Sequence, residues 1–305
     1  MHAMEAPIRT IELDLSGPLD LPASLAPLGR WGDDCIDRWD GRRLLRLARV
    51  EGHAAVPYRA VPAGSPERPR LSIAAAAGLA TVDQVARHVR STIVLPSSAL
   101  TELARADGAI ERLWRAYPGV VPVLVPDPLS ALVRSISAQQ VNLRWAAEIR
   151  RRLALRFGHR HLLEGEAVYE LDAAALASAT ETELRGLQLT TAKSRAIVAC
   201  ARAAIEGRLE AAELRSVEDD ELIERLTRLP GIGRWSAEWF LARTLGRPRV
   251  VAGDLGVRKA VGRLYGLHAL PSEAEVRHLT EHWGEAASLA QVLALHDLAV
   301  REARS

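Results

Sequence analysis

The spacing of apolar residues changes for good near residue 98, and the change limits the fold more tightly than any composition value. Before that point stretches with a period close to two precede a single helical stretch. In RTIELDLS (9–16), Ile11, Leu13 and Leu15 alternate with polar neighbours, as a half-buried strand requires. Residues 35–39 and 44–50 flank Asp40-Gly41, a hairpin signal, and 70–74 offers another strand. In TVDQVARHVRSTI (81–93), Val82, Val85, Ala86 and Val89 fall on one helical face. Beyond residue 98 the apolar positions recur at three and four, as in Leu129, Leu132, Val133, Ile136 and in Leu222, Leu226, Leu229. Gly/Pro breaks at 117–119, 126–128, 207, 230–233, 246–248 and 266 separate the helices. The expected architecture is mostly α with an N-terminal α+β unit: residues 1–115 as a sheet-containing domain and 116–305 as an all-helical region. No fixed-period repeat and no low-complexity linker interrupts it.

Composition narrows the chemistry. Two cysteines, Cys35 and Cys200, cannot build a zinc or iron–sulfur site and read as reduced thiols. No run is long enough for a membrane span and the start lacks a signal-peptide layout, so a cytoplasmic, nucleoid-associated protein with no membrane partner is expected. The net charge of +2 does not by itself announce nucleic acid. Of 40 basic residues 38 are arginine, leaving Lys193 and Lys259 as the two lysines for any chemistry that needs an amine.

The most informative stretch is LPGIGRWSAEWF (229–240). Upstream, DDELIERLTRLP is an amphipathic helix with acids at its start; downstream, RWSAEWFLARTLG is a second helix ending at Gly246. Glycines at 231 and 233 relieve the chain of side chains just where the second helix presents unpaired N–H groups. That is an anion site, and it equally suits an ordinary helix–helix turn. Then VVAGDLGVR (250–258) places a single carboxylate, Asp254, at a loop-to-helix junction 21 residues after Gly233. Alone, Asp254 would be read as an N-cap.

Taken together, LPGIGRWSAEWF and VVAGDLGVRKAVGRLYG resemble the helix-hairpin-helix (HhH-GPD) DNA glycosylases, in which the hairpin precedes a loop with an essential aspartate. The stretches 127–158 and 186–209 match the earlier helices of the alkylpurine branch, the bacterial 3-methyladenine DNA glycosylase II type, and that branch also carries an N-terminal α+β unit. The resemblance covers roughly 120–265. It implies an active site in a cleft between helical subdomains, a double-stranded DNA partner carrying damaged bases, and a monomer.

Residue by residue, the resemblance implies that Asp254 is the catalytic carboxylate. Trp235, Trp239 and Leu255 would line the base pocket. Gly231, Gly233 and Ser236 would offer backbone amides to a phosphate, and Arg258 would contact DNA. Gln140, in SISAQQV (135–141), matches the position of the wedge that fills the gap left by a flipped nucleotide, with Gln139 as the weaker candidate. The backbone carbonyls of Thr227, Leu229 and Ile232 match a monovalent-cation site (Na+ or K+); no other cofactor is implied. Strand-nicking relatives carry a lysine where this chain has Trp235, so a monofunctional enzyme is expected. The chain departs from the pattern in having Leu255 after the aspartate and Leu295 where a second C-terminal tryptophan would join Trp283. A different damaged purine, deaminated or oxidised, and a non-catalytic DNA clamp remain alternatives.

Overall fold

The computed structural model describes residues 7–50 and 55–304. Strands β1 (Ile8–Asp14), β2 (Arg38–Trp39), β3 (Leu44–Ala48), β4 (Val56–Ser65) and β5 (Arg68–Ala76) form one antiparallel sheet in the order β1-β5-β4-β3-β2. The hairpin expected around Asp40-Gly41 is present but short: Arg38 pairs with Leu45 and Trp39 with Leu44, while the Asp40 carboxylate takes the amides of Arg42 and Arg43. Strand β4 was not legible, because Pro57 and Pro62 read against a strand. Pro62 lies beyond the pairing with β3, which ends at Ala60, so there β4 is an edge.

The helices are α1 (Leu21–Gly29), α2 (Leu79–Ser91), α3 (Ser98–Ala106), α4 (Gly108–Ala116), α5 (Pro128–Ala138), α6 (Leu143–Phe157), α7 (Ala173–Ser178), α8 (Glu181–Gly186), α9 (Thr191–Ile205), α10 (Ala211–Ser216), α11 (Asp219–Thr227), α12 (Arg234–Arg243), α13 (Leu255–Leu264), α14 (Glu273–Thr280) and α15 (Ala287–Glu302). None among the described residues is long and apolar enough to cross a membrane. The face expected on α2 is the buried one: Val82, Val85, Ala86 and Val89 all lie in the core. One feature departs from an all-helical region. Strands β6 (Gly158–Leu163) and β7 (Glu166–Leu171) form a hairpin whose turn residues, Glu164 and Gly165, both have positive φ (51° and 81°). Such a two-residue turn matches the twist of the strands it joins.

Apolar packing does not follow a division at residue 115. One core joins the sheet and α2 to the C-terminal helices, from Leu15 through Val123 and again from Ala252 through Ala294, with Trp283 fully buried in it. A second core runs from Val125 to Leu241 and takes Ile36 from the N-terminal part. The β6–β7 hairpin covers the other face of the sheet through Leu163 and Val168 against Leu45. The chain therefore leaves the second core after α12 and enters the first at Ala252, with Asp254 at the crossing.

A buried ionic cluster ties the two parts together. Asp34 and Asp37, both buried, lie between β2 and the helices. Arg134 of α5 donates to Asp34 (2.8 Å) and Asp37 (2.5 Å), Arg150 of α6 to Asp34 (2.9 Å), and Arg46 of β3 to Asp37 (2.5 Å). Arg150 also reaches the Ser137 hydroxyl at 3.2 Å. Helices α5 and α6 are thus clamped on either side of the loop that joins them, residues 139–142. Of the two cysteines, Cys200 is buried and Cys35 half-buried, and both are free thiols.

Candidate active site

Helices α11 and α12 are joined by the glycine turn. Asp219, Asp220 and Glu221 occupy the first turn of α11, where acids complement the helix dipole. In the turn, Leu229 and Ile232 are buried in the second core, and their burial leaves Gly231 and Gly233 on the exposed side. Gly231 has φ +75°, and a Cβ there would lie 2.6 Å from the Cβ of Ala196 on α9. Gly233 is the N-cap of α12 with no side-chain acceptor, and a Cβ there would meet nothing within 4 Å. The first-turn amides of α12, from Arg234 to Ser236, accordingly lack an intrahelical acceptor; Arg234 is exposed, Trp235 half-buried and Ser236 buried. The two glycines should separate by mutation. Gly231→Ala, strained in φ and clashing with α9, is expected to cost about 1–3 kcal/mol of stability. Gly233→Ala should unfold with the wild-type midpoint in a denaturant titration.

Asp254 is the N-cap of α13, as its position at a loop-to-helix junction predicts, and it has a second partner that the sequence did not reveal. Oδ1 accepts the Val257 amide at 3.0 Å and Oδ2 accepts the Trp235 indole N–H at 3.1 Å. Both oxygens of this half-buried carboxylate are therefore held, one by each of the elements that meet at the crossing. Two glycines keep the space around the loop free of side chains. A Cβ on Gly256 would lie 3.0 Å from Asp254 Oδ1 and 3.5 Å from Leu295, and one on Gly253 would lie 3.1 Å from Glu273. Leu295 is thus beside the carboxylate, while Leu255, at the first position of α13, is 54% exposed.

The loop is braced from behind. Val251 and Ala252 are buried, and the Val251 amide donates to Gln291 Oε1 at 2.7 Å. Glu238 of α12, fully buried, accepts from Arg234 (3.0 Å) and from Arg277 of α14 (2.7 Å), and Arg277 also bonds Glu273 (2.6 Å). This chain of charges links α12 to α14 around Gly253. Sequence reasoning missed it because Glu238 reads as one more charged residue on a helix whose hydrophobic face is weakly marked.

The other expected residues divide. Trp235 is half-buried and turns its N–H toward Asp254, so it orients the carboxylate in addition to any role as a pocket wall. Trp239 packs against the second core. Ser236 is buried as a whole residue, so the exposed members of the turn are Gly231, Gly233 and Arg234. Arg258 is half-buried, and its Nε donates to the Pro271 carbonyl at 2.7 Å. Gln139 is likewise engaged, donating to the Gly231 carbonyl at 2.9 Å and lying 3.5 Å from the Ser236 hydroxyl. Gln140 is exposed. Lys193, one of the two lysines, donates to the carbonyls of Ser137 (3.1 Å) and Gln139 (2.7 Å), and burial holds its pKa below the ordinary lysine value. Thr227 turns its hydroxyl to the Ile223 carbonyl, and the Leu229 carbonyl accepts the Ile232 amide at 3.1 Å.

Comparison with known proteins agrees with this geometry. A family model described as HhH-GPD superfamily base excision DNA repair protein matches residues 133–286. The chain is 26% identical over 186 residues to a DNA-3-methyladenine glycosylase of Bacillus subtilis, covering 60% of this chain and 61% of the relative. It is 30% identical over 177 residues to DNA-3-methyladenine glycosylase 2 of Escherichia coli, covering 58% and 60%. It thus spans about six-tenths of the length of these curated relatives. Among solved structures, a 3-methyladenine DNA glycosylase from Archaeoglobus fulgidus superimposes with a TM-score of 0.80 at 25% identity, over 95% of this chain and 98% of that one. An 8-oxoguanine glycosylase/lyase of Clostridium acetobutylicum bound to double-stranded DNA shares the fold, with a TM-score of 0.73 at 16% identity over 99% and 100% of the chains. On the family match and the hairpin-plus-aspartate geometry, the chain belongs to the HhH-GPD superfamily of base excision DNA repair proteins.

Proposed function

We propose that this protein is a monofunctional DNA glycosylase that flips alkylated purines of the 3-methyladenine and 7-methylguanine type out of duplex DNA and hydrolyses their N-glycosidic bond. One observation carries the reading: the Asp254 carboxylate, held on both oxygens by Trp235 and Val257, stands at the crossing between the two cores, one helix away from the glycine turn. Base departure leaves cationic character on the deoxyribose. A carboxylate already oriented in a partly dry site stabilises that charge without reorganising. The amides of the α12 N-terminus grip the phosphate backbone, and Gln140 occupies the gap left by the extruded nucleotide. A ring-alkylated purine is itself cationic, so the indole face of Trp235 attracts it and little acid catalysis is needed.

Trp235 stands where strand-nicking relatives use a lysine, and the Lys193 amine is engaged on two carbonyls, which supports base removal without strand cleavage. Carbonyl oxygens are hard ligands suited to Na+ or K+, and the Leu229 carbonyl retains a lone pair beyond its one hydrogen bond. With Thr227 and Ile232 it would hold such an ion, whose charge would reinforce the phosphate grip. The protein is read as a cytoplasmic monomer acting on chromosomal DNA.

Incubation with methylated duplex DNA, followed by chromatography of the released bases, tests the proposal. Free 3-methyladenine and 7-methylguanine, from strands that break only on heating in alkali, are expected. Release restricted to hypoxanthine or 8-oxoguanine would transfer the site to deaminated or oxidised purines. Gly233→Ala, normal in stability, should bind duplex DNA more weakly, because its methyl enters the space between the amides and the phosphate. Trp235→Phe should slow base release by about tenfold to a hundredfold, the worth of one hydrogen bond to a charged group. Single-turnover kinetics would read the loss.

A further inference from the structure

The loop between α5 and α6 carries a backbone feature that the proposed reaction does not explain by itself. Gln140, at its exposed tip, has φ +53°. A glutamine has no local side-chain pairing that favours this left-handed region, so the surroundings must hold it there. Two contacts do so from the preceding residue. The Gln139 carbonyl accepts from Lys193 Nζ at 2.7 Å, and the Gln139 side chain reaches the Gly231 carbonyl at 2.9 Å. The same Lys193 amine donates to the Ser137 carbonyl at 3.1 Å, at the end of α5. One turn along α9 from Lys193, Ala196 is the residue against which Gly231 is packed. Helix α9 is therefore a common base for the loop and the glycine turn.

The choice of residue is informative. With 38 arginines and two lysines, the chain uses arginine almost wherever it needs a cation. A guanidinium spreads its donors in a flat fork, whereas an ammonium directs three donors from a single atom. Convergence on the carbonyls of residues 137 and 139, two apart at a helix end, is a task for the ammonium.

Resting on the glycosylase reading, we infer that Lys193 is a positioning residue. Its amine fixes the Ser137 and Gln139 carbonyls, keeps Gln140 in the left-handed conformation, and so presents the wedge to the duplex in register with the phosphate-gripping turn. Lys193 contacts no DNA in this account.

The test uses the full chain as Lys193→Met, Lys193→Arg and the double variant Lys193→Met/Gln140→Asn, since asparagine enters the left-handed region more readily. Three readouts are taken: amide hydrogen exchange of residues 139–142 without DNA, single-turnover base release from methylated duplex, and the salt dependence of binding to undamaged duplex. Both single variants should exchange faster in the loop and release base about tenfold more slowly, with thermal unfolding showing a folded protein. The double variant should recover part of the loop protection, read by exchange and not by rate because Gln140 is itself the wedge; no recovery would overturn the assignment of the Gln140 conformation to Lys193. The slope of log affinity against log salt should match wild type, because no phosphate contact is lost. Unchanged loop exchange would overturn the inference whatever the activity. A slope reduced by about one would overturn it by making Lys193 a phosphate contact, and so would a Lys193→Arg variant with the wild-type rate. If the wild-type protein itself releases no base, the glycosylase reading fails, and the exchange result still decides whether Lys193 holds the loop.

Discussion

Asp254→Asn is expected to lower the single-turnover rate of base release by at least about a hundredfold while duplex affinity stays equal or rises. Asparagine is nearly as good an N-cap as aspartate and keeps an oxygen for the Val257 amide, so α13 should form as before. Charge is what the substitution removes. A carboxylate about 4 Å from a developing unit charge, at an effective dielectric constant near 20, is worth roughly 4 kcal/mol, equivalent to about a thousandfold in rate. Loss of one preorganised transition-state contact in other enzymes costs about 10²–10³, in the same range. Removing a negative charge from a surface that faces phosphates cannot weaken their attraction, so binding and chemistry should separate. Retained base release in the variant would mean that the aspartate is only a helix cap.

The second large effect is expected far from Asp254. Asp34→Ala should destabilise the fold by about 3–5 kcal/mol in denaturant unfolding, since it leaves Arg134 and Arg150 buried without one of their acceptors. Asp34 also carries a pH signature. Burial alone would raise its pKa, but the guanidinium groups of Arg134 and Arg150 and the Asp37 amide outweigh burial and hold it at about 2. The folded pKa lies below the unfolded value near 3.9, so the ionised group contributes its stability above pH 4. That contribution, roughly 2–3 kcal/mol, is lost as the pH falls from about 4 through 2. The stability difference between wild type and Asp34→Ala should therefore shrink across that window. Because Arg134 and Arg150 sit on α5 and α6, the same variant should loosen the loop at 139–142 that they flank.

Much of this arrangement was legible before any coordinates. The glycine turn and the lone acid are marked by residues whose backbone or charge requirements are local, and the helical periodicity of α2 and α11 is strong. What escaped reading depends on distant partners. Strand β4 is held by two neighbours that override its prolines, and the Asp34–Asp37 cluster joins residues about a hundred positions apart. The Glu238–Arg277–Glu273 chain and the Trp235–Asp254 hydrogen bond likewise arise only when α12, α13 and α14 meet. The β6–β7 hairpin is different: its Glu164-Gly165 turn between alternating runs was a usable local signal. The bonds from Arg258 Nε to the Pro271 carbonyl and from the Gln139 amide to the Gly231 carbonyl had no such local mark.

The central claim is that Asp254 meets a cationic sugar, and it can be measured without catalysis. Two duplexes are compared, one with the target nucleotide replaced by a protonated pyrrolidine ring and one with a neutral tetrahydrofuran ring of the same shape. The wild-type protein should bind the cationic ring at least about tenfold more tightly, and Asp254→Asn should lose that preference. Equal affinity of the wild-type protein for the two rings would contradict the account.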